Sequence, residues 1–150
     1  MIQKVEKLKE IINQNSMGHL PLAYRVDLMK QIGDTRTVQK VFMFSITSFK
    51  GDIITLNTRN TDKICNAFRN IRELMYNKNS KQSAWFQVEM FLKSKAQYTL
   101  KFNYDNLEQI PSFFQKPDWL LEMFREYPRS KEYTPLWLRE IVGRRKLYLT

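Results

Sequence analysis

The sequence predicts an α+β domain: a single antiparallel sheet of about five strands, an N-terminal helix, a central crossover helix and a helical C-terminal tail. Apolar residues alternate with polar ones in several segments separated by turn-forming residues, the signature of half-buried strands. One segment between the strands, residues 62–76, spaces its apolar residues for a helix instead. After Asp105 the chain is aromatic and punctuated by proline, which splits it into short helical pieces.

Each element follows in order. Residues 1–14 place Val5, Leu8 and Ile12 at helical spacing among lysines and glutamates, and Met17-Gly18-His19-Leu20-Pro21 ends that helix. In residues 22–30, Leu22, Tyr24, Val26 and Leu28 point one way and Ala23, Arg25, Asp27 and Met29 the other. Gln31 to Thr37 reads as a turn, Val38 to Thr47 as a more continuously apolar strand, Lys50-Gly51-Asp52 as a hairpin turn and Ile53 to Asn57 as a short returning strand. Asn60-Thr61-Asp62 offers N-cap chemistry, and Ile64, Phe68, Ile71 and Met75 follow at spacings of four, three and four. Lys63, Arg69 and Arg72 are assigned to the polar face of this helix. Phe86 to Leu92 and Tyr98 to Tyr104 are two further alternating strands, and Trp119 to Glu126 and Leu136 to Arg144 are the helical pieces of the tail. Strands joined by tight turns must run antiparallel, and the 62–76 helix lets the last hairpin join the same sheet, with the helices expected on one face.

The 150 residues fit one domain, 1–150, and 43% hydrophobic content with 13% aromatics supports a packed core. No apolar run is long enough for a membrane span, and the charged N-terminus lacks the apolar core of a secretory signal, so the expected location is the cytoplasm. One cysteine, Cys65, agrees, because it excludes an internal disulfide framework. The formal net charge is +10, which attracts polyanions and acidic protein faces. Its centre is Arg59 to Lys101, with nine basic residues against three acidic ones, and Arg144-Arg145-Lys146 adds a second cluster.

Catalytic constellations are thin. His19 is the only histidine and has no cysteine or carboxylate at ligand spacing. Cys65 lies beside the apolar stripe of the central helix, where a buried thiol is inert. Asp118 and Glu122 stand one helical turn apart near a helix start, where acids complement the dipole, and Glu122 and Glu126 read as surface ion pairs with Arg125 and Arg129. Nothing supplies further metal ligands, and no phosphate-loop, dinucleotide, zinc-protease or nucleophile-elbow motif is present. The expectation is a non-enzyme with neither metal nor cofactor, and no turnover that depends on His19 or Cys65.

Binding fits better. All three tryptophans lie between Trp85 and Trp137, and rigid aromatic turns with few titratable groups suit a recognition surface. Asp105, in the turn Asn103-Tyr104-Asp105-Asn106, is either a strand-end cap or an acidic contact on a binding loop. Basic residues interleaved with aromatics, as in Phe68-Arg69 and Lys101-Phe102, can bind nucleic acid, but here the aromatics alternate into the core and leave the lysines in water.

The strand Trp85-Phe86-Gln87-Val88-Glu89-Met90-Phe91-Leu92, followed by Tyr98-Thr99-Leu100-Lys101-Phe102-Asn103-Tyr104-Asp105, resembles the YezG-like immunity protein (antitoxin) family of bacterial polymorphic toxin systems. Tyr127-Pro128-Arg129 and Pro135-Leu136-Trp137-Leu138 extend the resemblance into the tail. It implies a protein that binds and neutralises a cognate toxin by protein–protein interaction, with no membrane role. Family members that neutralise nucleases tend to be acidic and this chain is basic, so the implied toxin is acidic, for instance one acting on a nucleotide cofactor or another small substrate. The partner-binding candidates are Tyr104, Asp105, Trp119, Tyr127, Arg129 and Trp137; packing the tail onto the sheet is the rival role for the last four, and for Trp137 the favoured one. The alternative function is a basic nucleic-acid-binding module whose face comprises Arg69, Arg72, Lys93 and Lys95.

Overall fold

Alternation in the first apolar segments produces two long strands. β1 (Leu22–Ile32) and β2 (Val38–Ser48) pair antiparallel without interruption from Leu22↔Ser48 to Ile32↔Val38. This computed structural model describes residues 6–11, 22–32, 36–82, 84–94 and 97–149. The expectations for Val5, Ile12, the 17–21 helix stop, His19 and Lys95 lie outside those residues. α1 is the described part of the N-terminal helix, residues 6–11, and Leu8 brings its apolar side into the core.

After β2 the chain turns at Gly51, whose φ of 93° suits a residue without Cβ. The fifth segment of the sheet is then very short. Ile53 bridges Thr47 antiparallel, and the Ile54 N–H donates to the Ile46 carbonyl at 2.9 Å. The run to Asn57 does not continue as a strand because Asn57 is already a helix cap: its Oδ1 accepts the Asn60 N–H at 2.8 Å. The central helix α2 (Thr58–Lys78) therefore starts earlier than the Asn60-Thr61-Asp62 signal suggests.

α2 crosses the sheet to β3 (Gln87–Leu92), which pairs antiparallel with β1 on the side away from β2, and β4 (Tyr98–Asn103) completes the order β2-β1-β3-β4. The buried stripe of α2 is Ile64, Phe68 and Ile71, as the spacing predicts, and it packs on Leu22, Tyr24, Val26, Leu28, Val88, Met90 and Leu92. Met75 sits at the margin, where its sulfur accepts the Trp85 indole N–H at 3.3 Å.

The tail covers more than the expected single face. α3 (Pro117–Glu126) and α4 (Leu136–Val142) are its two helices. Met29 alternates away from α2 and packs with Phe86, Ile110, Phe114, Trp119, Leu120 and Met123. On that side the Gln109 carbonyl accepts from Arg25 Nη2 at 2.6 Å and Gln87 Nε2 at 2.8 Å, and Gln87 also donates to Asp27 Oδ1 at 2.7 Å. These bonds tie the start of the tail to the sheet.

Glu126 closes the far end of the sheet. Its carboxylate meets Lys30 at 2.9 Å and Lys40 at 3.4 Å, not the Arg129 expected from the sequence. Burial pushes the carboxyl up, but the two lysines more than offset this and hold it below its usual value. A depressed carboxyl contributes stability above its unfolded pKa and loses it as pH falls through the folded one. Glu126→Gln should therefore lower the urea midpoint at pH 7 and change it little near pH 3. Equal losses at both pH values would remove the charge from the explanation.

Candidate partner-binding site

The turn after β4 is built by Asn103. Its Oδ1 accepts the Asn106 N–H and its Nδ2 donates to the Asn106 carbonyl, both at 2.8 Å. The Asx-type role expected of Asp105 thus belongs to Asn103, and Asp105 is free to serve a longer-range contact.

That contact is Arg129, whose side chain is 1% exposed. Its Nη1 donates to Asp105 Oδ1 at 2.6 Å and to the Tyr133 carbonyl at 3.0 Å, while Nη2 donates to the Tyr104 carbonyl at 3.0 Å. A planar fork suits this arrangement because it serves one carboxylate and two carbonyls at once. Burial pulls the guanidinium below its usual value, and Asp105 opposes the shift. Asp105 keeps 63% of its side chain exposed, so the ion pair has one dry end and one wet end. Trp137 reaches the same turn, donating its indole N–H to the Asp105 carbonyl at 2.8 Å. Tyr104, Asp105, Arg129 and Tyr133 line an open pocket of about 270 Å³.

Tyr127 and Pro128 fix the tail to α2 instead. The Tyr127 hydroxyl donates to Glu73 Oε2 at 2.6 Å, its ring meets Tyr76 edge-on at 5.1 Å, and the Tyr76 hydroxyl donates to the Pro128 carbonyl at 2.6 Å. Burial and the Glu73 contact push the Tyr127 hydroxyl up to about 12. The structure therefore gathers Tyr104, Asp105, Arg129 and Trp137 into one junction, with Tyr127 at its α2 side. Trp119 stands apart: it packs with Phe113 and Phe114, with the Lys116 ammonium 4.3 Å above its ring. Tyr133 and Leu136 beside the junction expose large apolar side chains that the sequence reading did not single out. Their position between Arg129 and Trp137 in the motif is the signal that was available.

One residue of the proposed basic face departs from the expectation. Arg72 is buried, not solvated: Nη1 donates to the Leu28 carbonyl at 3.1 Å and the guanidinium lies 4.9 Å from the Tyr127 ring centroid. The physical reason is spacing, since Arg72 follows Phe68 by one helical turn and so shares its buried stripe. Burial lowers its pKa, with Tyr127 opposing. Arg69 lies over the Phe42 ring at 5.2 Å, and Lys93 is exposed in the β3–β4 connection.

Cys65 is fully buried, and burial pushes its thiol up to about 12. It should resist a maleimide at pH 7.5 in the native protein and react at once in denaturant. Rapid native labelling would contradict its place in the core. Among the described residues no group of three His, Cys, Asp or Glu side chains is placed to hold a metal ion, and no helix is long and apolar enough to cross a membrane.

A family model described as "Immunity protein YezG-like" matches residues 29–136 of the chain. The match runs from β1 through the Trp85–Asp105 hairpin and the Arg129 junction to the start of α4. A comparison with curated proteins gives no match.

Proposed function

The chain belongs to the YezG-like immunity protein family, and from that premise we propose that it binds and neutralises one cognate toxin in the cytoplasm of the cell that makes both. The carrying observation is the family match over residues 29–136. The geometry agrees with a binding role: the buried Arg72 and Arg129 and the buried Asp27 are all engaged in contacts that hold elements together, a preorganised scaffold rather than a reaction centre. Of the six proposed binding residues, Asp105 presents its side chain to solvent, Tyr104, Arg129 and Trp137 shape the surface around it with Tyr127 at its α2 side, and Trp119 lies apart.

A net charge of +10 favours an acidic toxin, because complementary charge speeds encounter and rejects wrong partners. The test is co-expression with the toxin domain of the adjacent reading frame. One stoichiometric complex and restored growth of the toxin-producing host are expected, with an on-rate that falls as salt rises. Failure of the two proteins to associate defeats the reading. Submicromolar binding of mixed DNA or RNA at about 0.15 M salt, lost when Arg69 and Lys93 are reversed to glutamate, favours the nucleic-acid alternative.

A further inference from the structure

β2 is an edge strand, and its outer edge is only partly used. The Ile46 carbonyl accepts the Ile54 N–H and the Ser48 N–H donates to the Asp52 carbonyl, so these residues turn their backbone polar groups away from β1. Antiparallel strands repeat every two residues, so Val38, Lys40, Phe42 and Phe44 turn their N–H and C=O groups the same way. Among the described residues no backbone group other than those of β1 bonds to residues 38–45. The chain itself begins to cover this edge at Ile53 and Ile54 and then leaves for α2.

An open edge of this length is a template for another strand. Its side chains suit occupation: Val38 and Met43 are 41% and 46% exposed. On the face away from α2, Arg25, Asp27, Met43, Phe44, Ser45 and Pro111 line an adjoining groove of about 350 Å³. The charges around the edge are cationic. Lys40 keeps 63% of its side chain exposed, Arg36 is exposed, Arg69 lies over Phe42, and Arg25 stands 40% exposed in the groove. The nearby carboxylates are committed, Glu126 to Lys30 and Lys40, and Asp27 to Gln87 and Arg25. A second copy of this chain carries the same net charge of +10 and the same cations at its own β2 edge, so charge disfavours pairing of two such edges.

We propose that the outer edge of β2, from Val38 to Ser45, receives an extended, acidic segment of the toxin as an added strand of the sheet. This rests on the immunity reading and names the surface that carries it out. Backbone hydrogen bonds supply affinity in such pairing, and the flanking cations and the groove supply selectivity.

The experiment is amide hydrogen exchange of the full chain, alone and with the toxin domain of the adjacent reading frame. The amides of Val38, Lys40, Phe42 and Phe44 should exchange fast in the free protein and slow by at least about tenfold in the complex. Lys40→Pro, which removes one outward N–H, should weaken binding by about tenfold, and Lys40→Ala by much less. A tight complex in which those four amides stay fast overturns the edge and leaves the immunity reading intact. Absence of any complex overturns both. Protection that grows with the protein's own concentration and without toxin assigns the edge to self-association and overturns the proposal.

Discussion

Arg129→Ala should destabilise the protein by roughly 2–4 kcal/mol, read as a drop in urea midpoint with the slope unchanged. The side chain is almost wholly buried, and its removal leaves the Tyr104 and Tyr133 carbonyls without their donor and opens space beneath the turn. Asp105→Asn should cost much less, about 1 kcal/mol, because the carboxylate is mostly in water and surface charge pairs contribute little. Arg129→Lys keeps the charge but not the fork and should recover less than half of the loss. Equal effects of Asp105→Asn and Arg129→Ala would mean that the ion pair, not the carbonyl contacts, holds the junction.

Phe68→Ala should cost about 3–5 kcal/mol. Phe68 is fully buried at the centre of the α2 stripe, with β1 and β3 residues on the facing sheet, and a rigid sheet collapses poorly around a cavity. Far-UV circular dichroism should keep its native shape at low denaturant while the midpoint falls. A near-unchanged midpoint would refute the packing of α2 against the sheet.

The sheet, its antiparallel order and the stripe of α2 were legible because periods of two and of three to four are local properties of the chain. The ends of the four long strands moved by a residue or two, while the 53–57 strand shrank to the Ile53 bridge and the start of α2 moved further, because Asn57 captured the cap ahead of the Asn60-Thr61-Asp62 signal. Arg72 is inside because its spacing from Phe68 outweighs the solvent preference of its residue type. A guanidinium goes inside when carbonyls and aromatic faces receive it, and here Leu28 and Tyr127 do so from distant parts of the sequence. The motif residues of the tail were legible as a group, but their mutual contacts were not. That Arg129 would bond Asp105, or Trp137 the Asp105 carbonyl, depends on how the tail folds back over separations of 24 and 32 residues.

The junction also fixes when the domain can close. Tyr127 to Trp137 hold α2 and the 103–106 turn, and the Leu149 N–H closes on the Arg129 carbonyl at 3.1 Å. A nascent chain that has emerged only to residue 126 owns every strand of the sheet but none of these fastenings. Contacts of long sequence separation form late, and domains fold as units once their parts are present. The domain should therefore mature in one step once residue 149 has emerged, and limited proteolysis of ribosome-stalled chains ending before and after that residue should show resistance only in the longer ones. Any task that needs the junction is therefore done by domains already folded, not by chains still being made.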